Sequence, residues 1–240
     1  MKALLLADIH SNQEALEAIF ADCGPFDQIW CMGDVVGYGP DPGVCMEMLR
    51  QHTFLCVAGN HDAVVAGLES VETFNSAAAE AALWTTNQLN ADQLQFLAQL
   101  PLVREEGPFT LVHGSLRSPL WEYLISPEAA EASLGLMQTR FCLVGHSHLP
   151  FICKETETGP SSTVFPEQVP VPMGQERWVI NPGGVGQPRD GDPRSSYAIY
   201  DSTEGTLQRR RVTYDIAKTQ RKMTLAGLPP PLISRLDLGR

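Results

Sequence analysis

Short apolar runs without alternation recur through the first 150 of the 240 residues. A strand that is buried on both faces shows this pattern, because neither face meets water. Stretches with the apolar spacing of helices lie between the runs, and strands that alternate with helices predict an α/β core. The five runs cover Ala3 to Ala7, Ile29 to Met32, Phe54 to Ala58, Thr110 to Val112 and Phe141 to Val144.

The predicted helices begin at residues that commonly cap helices. Ser126 precedes Pro127, and a serine N-cap followed by proline in the first turn is a frequent helix start. Asp92 is predicted to cap the second of two helices that are separated near Asn90. The helical stretches are Gln13 to Asp22, Pro42 to Gln51, Val71 to Gln99 and Pro127 to Gln138.

The pattern changes after Pro150, where short strands joined by Gly, Pro and Ser turns predict a second, mostly antiparallel sheet. Prolines within 166–172 favour an edge strand or a loop there, since proline cannot donate to a central ladder. No linker is evident, so residues 1–240 are expected to form one domain with a C-terminal helix and tail over 215–240. The predicted strands are Phe151 to Thr156, Thr163 to Val169, Trp178 to Ile180, Ser196 to Tyr200 and Gln208 to Val212.

The net charge of −11 disfavours partners with extended negative charge, such as long nucleic acids and anionic membranes. It does not exclude a phosphate substrate, because bound cations can invert the local field. The six cysteines include no C-x-x-C pair, which argues against zinc ribbons and thioredoxin-like sites. Asp8 and His10 interrupt the N-terminal apolar run too early for a signal peptide. No stretch reaches transmembrane length, and the default expectation is a cytoplasmic protein.

Polar side chains follow the five apolar runs at the points where the strands are predicted to end. Asp8 and His10 are two residues apart, as are His146 and His148, and on extended backbone such pairs share a face. The carboxyl ends of strands are where α/β proteins place their sites. We therefore expect one edge of one sheet to carry the following polar residues: Asp8, His10, Asp34, Asn60, His113, His146 and His148.

Each of these residues has an ordinary structural explanation when it is taken alone. An aspartate or asparagine after a strand is usually a cap or turn residue, and a lone H-x-H pair is weak evidence. Their combination is more informative, because His, Asp and Asn together form a ligand set for divalent metals. There are enough of them for two ions. His52 lies at a helix end and is assigned no chemistry.

The order of these segments resembles that of the calcineurin-like metallophosphoesterases. D-x-H, G-D, G-N-H-D, H-G and G-H-x-H occur in sequence between residues 8 and 148. The segments 37–42 and 181–189 look like motifs of a compact bacterial subgroup of phosphodiesterases and phosphatases. The resemblance implies an α/β fold, a four-layer α-β-β-α sandwich with two mixed β-sheets.

The resemblance also implies two adjacent metal sites that share Asp34 as a bridging ligand. One ion would be held by Asp8, His10, Asp34 and His148. The other would be held by Asp34, Asn60, His113 and His146. Imidazole, carboxylate and amide ligands without thiolate suit two divalent transition-metal ions, with manganese expected first and Fe, Ni, Co or Zn as alternatives.

Two such ions suit in-line displacement at phosphorus by a metal-bridging hydroxide. His61 adjoins the ligand Asn60 but has no place in the ligand set, so we expect it to be the general acid that protonates the leaving alkoxide. Asp62 is expected to orient or charge-stabilise His61, or else to cap a helix.

Three residues are candidate substrate contacts. Arg189 follows a glycine-rich turn and is suited to grip a phosphate oxygen, although a solvated loop arginine has the same signature. Tyr38 and Asn12 lie close in sequence to ligands, and Asn12 is equally suited to cap the helix that follows it. Phe74 is expected in the core.

A hydrolase of small phosphoesters or nucleotides, acting on phosphodiesters or phosphomonoesters, is the leading functional hypothesis. An amidohydrolase can also carry H-x-H, but its histidine pair would follow the first strand, whereas here the pair comes late. A non-catalytic scaffold of the same fold that binds partner proteins is the remaining alternative, and it would be expected to have lost ligands. The leucines of 228–238 could pack back on the domain or join a homo-oligomer.

Overall fold

The computed structural model describes residues 1–240 and contains twelve strands, eight α-helices and one short 3₁₀ turn. The strands are β1 (Lys2–Leu6), β2 (Gln28–Cys31), β3 (Phe54–Cys56), β4 (Val103–Glu106), β5 (Phe109–Val112), β6 (Phe141–Leu143), β7 (Phe151–Thr156), β8 (Gly159–Val164), β9 (Pro170–Pro172), β10 (Trp178–Asn181), β11 (Ser195–Asp201) and β12 (Thr206–Val212). The helices are α1 (Gln13–Asp22), α2 (Pro42–Arg50), α3 (Asn60–Val65), α4 (Ser76–Gln88), α5 (Ala91–Ala98), α6 (Pro127–Leu136), α7 (Ile216–Leu225) and α8 (Pro230–Ser234), and the 3₁₀ turn covers Val71–Thr73.

The strands form two six-stranded sheets, and both contain parallel and antiparallel pairs. The first sheet has the order β3-β2-β1-β11-β12-β9, in which β1, β2 and β3 are parallel and β11 runs antiparallel to β1. The second has the order β4-β5-β6-β10-β7-β8, in which β5, β6 and β10 are parallel. The predicted α/β architecture with two mixed sheets is therefore confirmed.

The predicted division of the strands between the sheets is wrong. The early apolar runs do not share one sheet, since β1, β2 and β3 lie in the first and β5 and β6 in the second. The later strands are divided as well, because β11 pairs with β1 while β10 pairs with β6. These pairs join residues that are far apart in the sequence, and the apolar pattern of a strand carries no information about its partner.

The strands lack alternation because the two faces of each sheet are both covered. Leu4 and Leu6 belong to one buried cluster with α1 residues such as Leu16. Leu5 and Trp30 belong to another cluster, which lies between the two sheets. There the Trp30 ring of the first sheet packs edge-on against Phe109 of the second, with centroids 5.0 Å apart.

Most helix boundaries agree with the prediction, and one cap differs. Ser126 accepts a hydrogen bond from the Ala129 N–H at the start of α6, as expected. The cap of α5 is Asn90 and not Asp92. The Asn90 side chain accepts from the Gln93 N–H, and Gln93 accepts from the Asn90 N–H in return, which satisfies both backbone donors at once.

The C-terminal tail packs back on the body of the protein. Leu228, Leu232 and Leu236 are buried in one cluster with Met223 of α7 and with Tyr38. The predicted strand over 163–169 is wrong beyond Val164, because only Thr163 and Val164 lie in a strand, at the end of β8. The edge strand β9 begins after it, and its prolines lie where no further strand pairs. No helix has both the length and the apolar character needed to cross a bilayer.

Candidate metal centre

The seven predicted ligands are brought together where the carboxyl ends of strands from both sheets meet, and all seven are buried. Asp8 and His10 follow β1, Asp34 follows β2, Asn60 opens α3 after β3, His113 follows β5, and His146 and His148 follow β6. The expectation that one edge of one sheet carries them is corrected, since the first sheet contributes four and the second three. Contacts between the sheets join the two groups of residues. For example, the His146 N–H donates a hydrogen bond of 3.0 Å to Asp8 Oδ1.

Five of these residues adopt the left-handed backbone conformation, which costs a non-glycine residue roughly 1–3 kcal/mol. Backbone hydrogen bonds between neighbouring loops hold it in place, for example from the His10 N–H to the Asp34 carbonyl at 2.9 Å. Gly59 is required next to them, because a Cβ there would lie 2.0 Å from Asp34 Oδ1. The φ angles are 56° at Asp8, 48° at His10, 52° at Asp34, 62° at His146 and 58° at His148.

Asp34 lies between two sets of donor atoms. Its Oδ2 is 3.5 Å from His10 Nε2 on one side and 3.3 Å from His113 Nε2 on the other. Asp8, His10 and His148 offer atoms within 4.8 Å of one another, and so do Asp34, His113 and His146. The Asn60 Oδ1 completes the second set at 3.1 Å from His113 Nε2.

The outer ring nitrogens of the four histidines predicted as ligands all meet backbone carbonyl oxygens. His113 Nδ1 lies 2.7 Å from the Met32 oxygen, and His146 Nε2 lies 3.2 Å from the Trp121 oxygen. His10 and His148 meet the carbonyls of Val36 and Gln187 in the same way. A carbonyl requires the outer nitrogen to carry the proton, so the inner nitrogen of a neutral ring is left with its lone pair, as metal binding requires.

The inner nitrogens face each other in pairs, with 3.2 Å between His10 Nε2 and His148 Nε2 and 3.1 Å between His113 Nε2 and His146 Nδ1. Two ring nitrogens so close together repel each other unless a proton or a metal cation lies between them. Asp8 Oδ2 is also buried without a hydrogen-bond partner, although buried polar atoms almost always have one. Nitrogen and oxygen donors of this kind fit two divalent transition-metal ions.

Comparison with known proteins agrees with this geometry. A family model described as the calcineurin-like phosphoesterase superfamily domain matches residues 1–205. The chain belongs to that superfamily. Its buried Asp and His clusters are consistent with a binuclear metal site.

Similar proteins extend over nearly the whole chain. The crystal structure of a metallophosphoesterase from Sphaerobacter thermophilus is 42% identical in sequence and superposes with a TM-score of 0.92, covering 100% of this chain and 99% of that one. An uncharacterized protein of Methanocaldococcus jannaschii is 38% identical over 244 residues, covering 98% of this chain and 97% of its own length. A hypothetical protein from Pyrococcus horikoshii OT3, with 18% identity and a TM-score of 0.83, shares the fold over 100% of this chain and 98% of its own.

In the metal-free protein, burial determines the protonation of several of the predicted ligands of this superfamily member. It raises the pKa of the Asp8 carboxyl to about 7. It lowers the pKa of His146 to about 3, and those of His10 and His148 well below the usual histidine value. These three imidazoles are therefore neutral at physiological pH and ready to act as ligands.

His113 is the exception among the ligand histidines. Burial opposes its positive charge, but the adjoining Asp34 carboxylate outweighs burial and raises the pKa of His113 to about 9. The charge on His113 in turn holds the pKa of Asp34 well below its usual value, although burial alone would raise it. The metal-free centre thus keeps a proton on His113 that an ion must displace.

Metal affinity is therefore expected to strengthen as pH rises from about 6 to about 9. Below pH 9 an ion must displace the proton of His113, and below about pH 7 it must also displace that of Asp8, so each lost proton removes a competitor. Titration calorimetry at pH 7.5 in two buffers with different ionisation enthalpies measures the released protons. An affinity that is constant across this range would contradict the prediction.

His61 lies beside both sets of donor atoms, in a surround of aromatic rings. Its ring stacks on Phe74 at 4.4 Å and packs against Tyr38 at 4.2 Å between centroids. Its Nδ1 is buried without a hydrogen-bond partner, and burial lowers the pKa of His61 to about 4. Together with His10 and Asp34 it also forms a third group of atoms close enough to share an ion.

Asp62 contacts backbone amides, and no hydrogen bond joins it to His61. Its carboxylate accepts from the Gly59 N–H at 3.0 Å and from the Val36 N–H at 3.1 Å. The alternative explanation from the sequence, a helix cap, describes these contacts. Asp62 therefore fixes the start of α3, and any influence on His61 passes through that backbone.

A cavity of about 190 Å³ opens over the predicted ligands. Arg189 and Tyr38 line it, as expected for substrate contacts, with the guanidinium 5.9 Å from the Tyr38 ring centroid. The Arg189 Nε is buried and lacks a hydrogen-bond partner. An unpaired cationic donor in the wall of a cavity is suited to an anionic ligand.

Asn12 does not line this cavity, so its position does not support the predicted substrate contact. Its side chain caps α1 by accepting from the Ala15 N–H and donates to the Gly186 carbonyl at 2.8 Å, so it ties α1 to the 186 loop. Phe74, predicted in the core, packs partly buried against two core clusters and also lines the cavity. Trp121 and Tyr123 also line it, and they were missed because they lie in an irregular loop without any informative spacing.

Proposed function

We propose that the protein is a dinuclear-metal-dependent phosphoesterase that hydrolyses small phosphodiesters or phosphomonoesters. The observation that carries this proposal is the pair of donor sets that share Asp34 and open into the cavity lined by Arg189. If the histidines only filled the core as neutral rings, their burial would be explained. The close approach of their inner nitrogens to one another and to Asp34 would not be explained. The superfamily membership supports the same reaction class.

In this proposal Asp8, His10, Asp34 and His148 hold one ion, and Asp34, Asn60, His113 and His146 hold the other. Manganese is the first choice, with Fe, Ni, Co or Zn as alternatives, because the donors are nitrogen and oxygen without thiolate. When bound, such ions supply positive charge to phosphate oxygens and activate water for attack.

The remaining groups of the site have separate tasks. Arg189 holds a phosphate oxygen through the Nε–H that has no partner within the protein. Tyr38 packs against both His10 and His61 and so keeps their rings in position. His61 delivers a proton to the leaving oxygen. Since its pKa in the free protein is about 4, it takes up that proton only when the negative charge of a substrate lies against it.

The size and charge of the protein favour a small substrate. A cavity of about 190 Å³ accommodates a phosphoryl group and little more. The net charge of −11 opposes the binding of a long polyanion, so small phosphoesters and nucleotides are proposed as substrates in the cytoplasm.

A metal-by-substrate screen of the metal-free protein tests the proposal. We expect turnover of bis-p-nitrophenyl phosphate, p-nitrophenyl phosphate or a 2′,3′- or 3′,5′-cyclic nucleotide after loading with Mn, Ni, Co, Fe or Zn. An Asp34→Asn protein purified in parallel measures any contaminating phosphatase. If two ions bind and no substrate of the panel is turned over, the non-catalytic scaffold replaces the proposal.

A further inference from the structure

A second and larger cavity, of about 690 Å³, adjoins the metal centre. It lies between the start of α6 and the strands β7 and β8. We refer to it as the apolar pocket, because aliphatic and aromatic side chains such as Leu124, Leu149 and Phe151 form much of its wall. Its size is typical of sites that bind small organic molecules.

The apolar pocket and the cavity over the predicted ligands share a wall that is formed by three separate chain segments. In each segment two consecutive residues, whose Cα atoms are about 3.8 Å apart, line different cavities. Tyr123, His148 and Arg189 line the cavity over the ligands. Their successors Leu124, Leu149 and Asp190 line the apolar pocket.

One residue of this wall, Tyr123, contacts a predicted metal ligand directly. The Tyr123 ring stacks on the ligand histidine His146, with 4.0 Å between centroids and 12° between planes. Tyr123 is nevertheless 44% exposed, so it also forms part of the rim over which a molecule would reach from one cavity to the other. A ligand held at the metal centre therefore has the apolar pocket directly beside it.

The chemistry of the wall restricts what the apolar pocket can bind. Asp190 is its only charged residue, and its carboxylate is paired with Arg211. The Ser126 hydroxyl already accepts a hydrogen bond from the backbone of α6. The wall therefore offers no cation for a second phosphate group, and an uncharged ligand that is largely apolar fits it best.

We propose that the apolar pocket binds the ester group of the substrate, and that this group is an alkyl or aryl group without charge. The inference rests on the proposed phosphoesterase function, since the phosphoryl group is taken to lie at the metal centre. It narrows the proposed substrates to small phosphoesters with an apolar ester group and away from nucleotides. Ile125 and Val164 lie on the pocket wall and are 67% and 73% exposed. In this proposal they contact the apolar ester group, which accounts for large apolar side chains at exposed positions.

Equilibrium binding of phosphonates, which cannot be hydrolysed at their P–C bond, tests the proposal without requiring turnover. In the metal-loaded protein hexylphosphonate should bind at least about tenfold more tightly than methylphosphonate in calorimetry, because each buried CH₂ strengthens binding severalfold. Ile125→Asp and Val164→Asp should reduce this ratio to less than about threefold. Both positions are exposed, so the fold should tolerate the changes.

Val169→Asp is the matched control, because Val169 is 53% exposed and lies outside both cavities. It should retain the full hexyl-to-methyl ratio. The proposal is overturned if the native protein binds the two phosphonates equally, or if the control loses the ratio as fully as the pocket variants. It is also overturned if adenosine monophosphate binds more tightly than hexylphosphonate and Val164→Asp weakens it, since the occupant would then be a polar nucleoside.

The two proposals fail separately in this design. A hexyl-to-methyl ratio that depends on Val164, without hydrolysis of any ester, supports the apolar pocket and refutes the catalytic function. Hydrolysis of simple esters with no effect of alkyl length refutes the pocket and leaves the catalytic function in place. If neither phosphonate binds to the metal-loaded protein, the apolar pocket is refuted, and the metal-by-substrate screen alone decides the catalytic function.

Discussion

Asp34→Asn is expected to abolish tight binding of both ions and to lower kcat/KM by at least about 10³-fold. Asp34 Oδ2 faces His10 on one side and His113 on the other, so one substitution removes a negative donor from both sets. Loss of a group that merely supports a metal ligand typically costs 10–100-fold in affinity or activity. Loss of a shared ligand should therefore cost more.

The substitution preserves the local fold, which makes the result interpretable. Asp34 has φ of 52°, and asparagine tolerates the left-handed region as readily as aspartate. The amide oxygen can still accept the hydrogen bond that the His61 N–H now donates to Asp34 Oδ1 at 2.9 Å. What changes is the charge, and with it the attraction for divalent cations.

Metal analysis by mass spectrometry after dialysis, together with steady-state kinetics, measures the effect. Asp41→Asn is the matched control, because Asp41 pairs with Lys222 and contacts no predicted ligand. The control should keep both ions and its activity. Two ions held tightly by the Asp34→Asn protein would refute the bridging role.

His61→Ala is expected to keep both ions and to lower kcat by about 10²–10⁴-fold for an ester with a poor leaving group, as loss of a general acid commonly does. The loss should be much smaller for p-nitrophenyl esters, whose leaving group needs no proton. This dependence on the leaving group separates proton delivery from a general disturbance of the site.

His52→Ala is a suitable control, since its ring packs between Phe20 and Phe26 and takes no part in the centre. Two outcomes would defeat the assignment of His61. Full activity with a poor leaving group would remove its role as acid. Loss of an ion would make it a ligand instead, through the group that it forms with His10 and Asp34.

The positions of the predicted ligands could be read from the sequence because each comes just after an apolar run. An apolar run marks the strand itself, so a polar residue just after it, such as Asp34 or His113, is located without knowing which sheet the strand joins. The assignment to sheets could not be read in this way. Whether β1 pairs with β11 or with another strand depends on contacts between residues nearly 200 positions apart.

Other residues could not be assigned from the sequence because they suit two tasks equally well. Asn12 caps α1, as asparagine before a helix often does, and the same position next to a ligand suggested a substrate contact. Phe74 was predicted in the core because an apolar ring normally belongs there. Only the path of the chain after α3 brings it against His61. Such choices depend on tertiary packing, which local patterns do not contain.

The pairing of early strands with late ones also sets the time at which the protein can acquire its metal. The last predicted ligand is His148, but the neighbours of β1 and β6 in their sheets are β11 and β10, which lie within 178–201. A nascent chain that has just exposed His148 from the ribosome therefore has all the predicted ligands and neither complete sheet. The predicted centre can take its final geometry only after most of the chain has been synthesised.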